Sequence, residues 1–354
     1  MIGWLLWIRR LIASGLIAVS LTAAAPAYAR IAPPPVTVPS AVITTMDGTQ
    51  LWARSPTAHR RVASTIKMLN ALVLRDRVAN LDTTVTVPAA ASRIHDGGVG
   101  LWTGERLTYR RLLTMMLVAS ANDAAEAIAV RVAGSEKAYV ALMNAKAAQL
   151  GLKGTHATDP HGLGKKETST ASDLNVLARR VLADPVLRAV VRTRYVTVPR
   201  PKGHTKTYRS TDLLLGAYPG IEGVKTGFTN PAGYCFVGAA KRGGVELVGV
   251  VLGAKSTAAR FTQMRRLLDW GFAHTHVQTL VSTEDTMGVV AVEGASTGSR
   301  VTVHASAVAT RVALDGSFDT TVSLPASVEA PVARGQRLGT VQVGRGGVTL
   351  ASVP

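Results

Sequence analysis

At 354 residues the chain is long for one compact core and suits two domains. With 47% hydrophobic and 18% charged residues it is not wholly disordered, and its single cysteine, Cys235, excludes a disulfide scaffold and any multi-cysteine zinc or iron–sulfur site. Forty Lys and Arg against 22 Asp and Glu give +18, which draws the chain to polyanions: nucleic acid, anionic lipid or wall polymers. None of the eight histidines falls in a His-Glu-x-x-His arrangement, so the helix-borne zinc protease site is absent.

The amino terminus narrows the polyanions. Arg9 and Arg10 precede an apolar run, Leu11 to Ala25, that ends in Ala27-Tyr28-Ala29. A positive segment, a short apolar segment and small residues two apart form the pattern of a secretory signal peptide, residues 1–29, too short for a comfortable membrane span. Cleavage after Ala29 removes two arginines and no acids, taking +18 to +16; an uncleaved anchor is the alternative. Pro33-Pro34-Pro35 then reads as part of a Pro-rich tether over 30–40. An exported, extracytoplasmic protein meets cell-surface polymers and lipids rather than nucleic acid.

In chain order, Ala41-Val42-Ile43 and Leu51-Trp52-Ala53 flank Asp47-Gly48-Thr49, which predicts a β-hairpin. From Ser64 to Leu74 the sequence is apolar on nearly every face and lacks Gly and Pro, the signature of a helix buried inside a domain. Further helices are predicted over Tyr109–Val118, Asn122–Val132, Glu136–Leu150 and Ala171–Leu182, the last capped by Thr170 or Ser169. After residue 190 the pattern turns to strands. Val224–Phe228, Gly233–Ala240 and Val245–Gly253 are separated by turn residues and should pair antiparallel. Arg260–Phe272 reads as a closing amphipathic helix with Phe261, Met264, Leu267, Leu268 and Phe272 on one face.

Beyond Thr275 short Val-rich runs recur, at Met287–Val292, Val301–Val303, Val308–Leu314, Thr320–Leu324 and Leu338–Val343. This spacing predicts a small β-sandwich over 280–354, with the domain boundary between His274 and Glu284. The tail shows no amphipathic helix.

The chemistry starts at Lys67. A lysine in an otherwise apolar helix loses hydration, which favours its neutral, basic form. Ser64 lies one helical turn earlier on the same face, and a serine hydroxyl becomes a nucleophile when a base takes its proton. The helix start adds free N–H groups and a positive dipole end, which favour a developing oxyanion. On its own this pair also fits a helix cap beside a lysine that snorkels to the surface. It is not on its own. Among eleven lysines only Lys67 has Ser or Thr three positions before it, and among six asparagines only Asn122 has Ser or Thr two before it, at Ser120-Ala121-Asn122. Lys225-Thr226-Gly227 is the one Lys-Ser/Thr-Gly, on a predicted strand. Ser120 can relay a proton, Asn122 can hold a substrate amide or Lys67, Lys225 adds a second cation, and Gly227 leaves room for substrate backbone. In that order, the three elements resemble the active-site set of the penicillin-recognising serine hydrolases.

The surrounding segments, Val62 to Leu69, Ser120 to Ala125, Asp159-Pro160-His161-Gly162-Leu163, and Gly223 to Phe228 through Gly233-Tyr234-Cys235, resemble the D-alanyl-D-alanine carboxypeptidases, the low-molecular-weight penicillin-binding proteins. The resemblance runs from about Ala41 to Phe272. It implies an α/β fold of the β-lactamase/transpeptidase type over 41–274, an antiparallel sheet with helices around a buried central helix, followed by the family's small β-rich domain. It further implies a cofactor-free hydrolase that trims the terminal D-alanine from peptidoglycan stem peptides through an acyl-enzyme on Ser64, and that β-lactams acylate. The catalytic set would be Ser64, Lys67, Ser120 and Asn122. The N–H groups of Ser64 and Phe228 would form the oxyanion hole, and Thr226 and Arg260 would hold the terminal carboxylate beside Lys225, with Gly227 lining the site.

Three features depart from the family: Ala121 where a Gly is common, Asp96-Gly97-Gly98-Val99-Gly100 where Gly-Ser-Ser is common, and the missing closing helix. His161 reads as a structural loop residue, His274 and His276 as a solvated helix end without a third ligand, and Cys235 as a buried inert thiol. Arg188 to Arg209 holds seven Lys/Arg and no acid, either a solvated basic face or an adhesive surface for anionic wall polymer. A β-lactamase would need a deacylating glutamate, and Glu126, Glu136, Glu167 and Glu222 stand in no recognisable version of that loop. The alternatives are a peptidoglycan endopeptidase of the same superfamily and a non-catalytic wall-binding protein.

Overall fold

The computed structural model describes residues 16–20, 31–307, 309–314, 319–345 and 348–354, which fall into two compact units divided after Thr275. The first, Ile31–Thr275, is built on a five-stranded antiparallel sheet. Its strands are β1 (Ser40–Thr45), β2 (Gln50–Arg54), β3 (Ile221–Thr229), β4 (Gly233–Arg242) and β5 (Val245–Ala254), in the order β2-β1-β5-β4-β3. The predicted hairpin and the three later strands lie within these bounds. β3 is therefore an edge strand, paired with β4 alone.

The longer helices of this unit are α1 (Lys67–Arg77), α2 (Tyr109–Val118), α3 (Asn122–Ala133), α4 (Glu136–Gln149), α5 (Ala171–Ala183), α6 (Pro185–Val191) and α7 (Thr257–Ala273). Every residue of α1 from Lys67 to Leu74 is buried, as its all-round apolar sequence predicts. It packs among α3, α4 and α5. Alternation along the strands divides the sheet's two faces. Val42, Val248, Val250 and Leu252 join the core cluster around α1, while Gly249 receives Met264 of α7 on the other face. Thr170 caps α5 through its hydroxyl, which accepts from Asp173 N at 3.0 Å. Phe272, expected on the apolar face of α7, is only half-buried, with the Arg242 guanidinium 4.5 Å over its ring.

Residues 32–38, expected as part of a tether, are docked onto this unit. Val36 and Val38 are buried, Trp270 Nε1 donates to Ala32 O at 2.7 Å, and Thr37 N donates to Gln263 Oε1 at 2.7 Å. The proline run keeps the segment extended, but its two valines find an apolar seat beside α7. Helix α6 was not expected; its signal is Asp184-Pro185, where the Asp184 carboxylate accepts from Val186 N and Leu187 N and proline occupies the first turn.

The second unit comprises His276–Pro354 together with the described amino-terminal strand Leu16–Ser20. Thr286–Glu293, Arg300–His304 and Ser327–Glu329 form one sheet, Asp319–Pro325, Thr340–Arg345 and Val348–Val353 another, and Thr275–Val281 pairs with Ala309–Leu314. Val281, Ala305, Val341, Val343 and Val353 pack together as its core. The expected leader, 1–29, lies outside the described residues except for Leu16–Ser20, a strand antiparallel to Asp319–Pro325. Among the described residues no helix is long and apolar enough to cross a membrane.

Candidate active site

Three elements converge at the unpaired edge of β3. Ser64 sits in a 3₁₀ turn, Ala63–Ile66, that leads into α1; Ser120 and Asn122 lie between α2 and α3; Lys225, Thr226 and Gly227 lie on β3. Two of the turns are wound tightly. Ala63 and Ser120 have φ of +49° and +60°, a region that a side chain makes unfavourable by about 1 kcal/mol or more. β3 reaches the Ser64 turn because residue 227 is glycine: a Cβ there would lie 2.7 Å from Val62 O and 3.0 Å from Ser64 N.

The side chains form one connected network. Lys67 Nζ lies 2.8 Å from Ser64 Oγ and donates to Ser120 O at 2.9 Å and, through a very short contact, to Asn122 Oδ1. Lys225 Nζ donates to Ser120 Oγ at 2.9 Å and to Thr226 O at 2.8 Å. Ser64 Oγ donates to His161 O at 3.3 Å. Thr226 Oγ1 is 2.7 Å from Thr211 Oγ1, and Arg260 Nη1 donates to Gly227 O at 3.2 Å. Phe228, 45% exposed, stacks on Tyr234 with ring centroids 4.2 Å apart. A cleft of about 440 Å³ opens over Ser64, Ser120, Asn122, Thr226, Gly227 and Arg260. All nine residues singled out from the sequence thus belong to this network or line the cleft.

Burial governs the electrostatics. Lys67 is 0% exposed, not snorkelling. Loss of hydration lowers it from 10.5 to about 7, against an upward pull from Asp159, Glu167, Asp123 and Asp96. Burial also drives Lys225 well below the usual lysine range, helped by the charges of Lys67 and Arg260. A neutral amine carries two hydrogens and a lone pair. A neutral Lys67 that gives its two hydrogens to Ser120 O and Asn122 Oδ1 has a lone pair left for Ser64 Oγ, and can accept the Ser64 proton when that hydroxyl turns from His161 O toward it.

Sequence reasoning missed the acids and the threonine around this network. Glu167 is 1% exposed and burial raises it well above the usual carboxylate range, with the Asp159 charge adding to the effect. Burial likewise pushes Glu126 up to about 7. Burial would raise Asp159 too, but His161 and the Gly162 and His161 N–H groups outweigh it and hold Asp159 at about 2. Asp159 Oδ1 accepts from those two N–H groups at 2.8 and 2.6 Å, which shapes the loop that turns the His161 carbonyl toward Ser64. Thr211, lining the cleft beside Thr226, lies in a loop whose sequence carries no motif. Cys235 is fully buried on β4 opposite Gly227, its thiol pushed up to about 11 by burial. His274 sits at the end of α7, Nδ1 2.8 Å from Trp270 O.

A family model for D-alanyl-D-alanine carboxypeptidases matches residues 28–256. The chain belongs to the D-alanyl-D-alanine carboxypeptidase family. The enzyme is a serine hydrolase with the mixed α/β fold of that family. A D-alanyl-D-alanine carboxypeptidase of Mycobacterium tuberculosis is 39% identical over 239 residues, spanning 66% of this chain and 81% of the relative. One from Bacillus subtilis is 29% identical over 325 residues, covering 89% and 83%. The crystal structure of a Francisella tularensis carboxypeptidase superposes with a TM-score of 0.71 over 93% of this chain and 95% of that one; at 23% identity this likeness concerns the fold.

Proposed function

We propose that the enzyme removes the terminal D-alanine of peptidoglycan stem peptides outside the cytoplasm, through an acyl-enzyme on Ser64. The observation that carries this reading is the fully buried Lys67 amine 2.8 Å from Ser64 Oγ. Neutral Lys67 takes the Ser64 proton as Oγ attacks the carbonyl of the penultimate D-alanine. The oxyanion is received by the N–H groups of Ser64 and Phe228. Ser120, held by Lys225, passes its proton to the leaving amine as the peptide bond breaks and free D-alanine departs, and Lys67, 3.5 Å away, reprotonates Ser120 and is neutral again. Water then repeats the sequence on the acyl ester, with Lys67 again as base, and regenerates Ser64. Lys225, Thr226 and Arg260 hold the terminal carboxylate, Asn122 holds Lys67 and a substrate amide, and Gly227 lets substrate backbone lie along the free edge of β3.

In this reading β-lactams acylate Ser64, and residues 1–29 direct export. Arg194, Lys202, Lys206 and Arg209 form an exposed basic face that adheres to anionic wall polymer, whereas Arg188 and Arg192 are engaged by Glu222. Binding to purified walls that did not weaken with salt would remove this last part. The central test combines residues 30–354 with a fluorescent penicillin, maps the labelled peptide and assays D-alanine release from a stem pentapeptide. Label on Ser64 with D-alanine release supports the reading. Label without release points to the endopeptidase alternative, and no label in a folded sample points to a non-catalytic wall-binding protein.

A further inference from the structure

The loop from Asp96 to Leu101 is fixed to the start of α3 at four points. Asn122 N donates to Gly97 O at 3.0 Å and Asn122 Nδ2 to Asp96 O at 2.7 Å. The Asp123 carboxylate accepts from Gly100 N at 2.8 Å and Leu101 N at 3.0 Å. Glycine at 97, with φ +64°, permits this contact, since a Cβ there would lie 2.7 Å from Asn122 Nδ2. The same asparagine that holds Lys67 therefore sets the position of Asp96.

Asp96 is exposed, and among the described residues its carboxylate has no hydrogen-bond or ion-pair partner. Among the described residues it is the only acid lining the cleft. The charge across from it is of the other sign: the Arg260 guanidinium lines the cleft on the β3 side. The cleft is thus bipolar, cationic along β3 and anionic at the Asn122 wall. A ligand complementary to it carries a carboxylate at one end and a positive group beyond its reacting carbonyl.

We propose that the Asp96 carboxylate is a subsite for a side-chain ammonium of the substrate, so that the enzyme favours stem peptides whose diamino residue still has a free amine over those in which that amine is acylated by a cross-link. The inference rests on the proposed function. With the terminal carboxylate at Lys225, Thr226 and Arg260 and the scissile carbonyl at Ser64, the preceding residues leave past Asn122, and an amine on a flexible side chain meets Asp96 there. The contact is solvated and a single ion pair, so its effect is modest and sensitive to salt.

The test uses two penicillins that differ only in the acyl side chain, one ending in a primary amine on an alkyl stem and the other in its N-acetylated form. The second-order rate of Ser64 acylation is measured with each. The ratio of the two rates cancels any effect of Asp96 on Lys67. Wild type should favour the amine roughly fivefold at low salt, with the preference shrinking at 1 M salt. Asp96→Asn should bring the ratio to about one, and Asp96→Glu should retain most of it. An amine preference equal in wild type and Asp96→Asn, or no preference in wild type, overturns the proposal. Acylation does not depend on D-alanine release, so failure of the carboxypeptidase reading leaves this result intact. Failure of either penicillin to acylate wild type would instead refute the serine-acylation reading, and the subsite with it.

Discussion

If Lys67 is the base, its burial must be visible both in the rate and in the stability of the fold. Burial takes the amine from 10.5 to about 7. At roughly 1.4 kcal/mol per pH unit, holding Lys67 protonated in the fold costs about 5 kcal/mol. The folded pKa lies below the unfolded one, so the unfolded chain binds more protons between these values and stability rises with pH across that window. The penalty is full below pH 7 and fades toward pH 10.5. From pH 7 to pH 9, Lys67 alone should add roughly 2 kcal/mol to unfolding stability. Lys67→Met keeps the length and apolar packing of the side chain and removes the titration. Of the five tryptophans, Trp52, Trp102 and Trp270 remain in residues 30–354, and all three lie in the unit that holds the site. Urea unfolding followed by their fluorescence therefore reports on this unit. The wild-type curve should steepen relative to Lys67→Met between pH 7 and 9 by that amount. Acylation by penicillin should fall about tenfold per pH unit below 7 and level off above 8, as the neutral fraction of the amine dictates. Lys67→Met should not be acylated at a measurable rate. Parallel stability curves for the two proteins, or wild-type acylation flat from pH 5 to 8, would refute the assignment of Lys67 as a desolvated base.

Other expected outcomes follow from single contacts. Ser64→Ala should abolish covalent penicillin labelling while leaving the thermal transition in place; a label recovered on another residue would overturn the nucleophile. Gly227→Ala places a methyl group 2.7 Å from Val62 O, so β3 must move away from the Ser64 turn. The expected loss is about 100-fold in acylation rate and about 1–3 kcal/mol in stability, read by stopped-flow labelling and urea unfolding. Wild-type kinetics in that variant would show that the close approach is dispensable. Arg188 bridges Glu222 and Glu246 on β3 and β5, and both carboxylates are largely buried. Arg188→Ala should destabilise the sheet by roughly 2 kcal/mol, partly relieved by Arg192, with thermal unfolding as the measurement.

The site was readable in the sequence where chemistry restricts residue type. A lysine in an apolar helix with serine one turn before it is physically anomalous, and Ser120, Asn122 and Lys225 accompany it at fixed spacings. The buried acids were not readable for the opposite reason. Glu167 is unremarkable in its own segment and Asp159 stood out only as part of a matching segment, and packing against α1 is what brings both near Lys67, with Glu126 near Asp159. Asp123 was visible within a matching segment, but its capture of Gly100 N and Leu101 N depends on a loop more than twenty residues away. Among the elements, long helices with clear periodicity stood out. The seven-residue α6, with four β-branched or proline residues, did not, because its start is set by the Asp184 cap rather than by propensity. The docking of residues 32–38 was hidden as well, since Pro-rich sequence specifies an extended backbone and not its seat.

Cys235 opens a view of motion that static contacts do not give. The thiol is sealed in β4, directly across the ladder from Gly227, and it is the sole sulfhydryl of the chain. A thiol-reactive dye can reach it only when that stretch of the sheet parts. Its labelling rate under native conditions is accordingly a clock for how often the strand bearing Lys225, Thr226 and Gly227 detaches, read without adding any probe to the protein. Comparing that clock before and after Ser64 is acylated would tell whether a covalently held ligand staples the edge strand or leaves it to breathe.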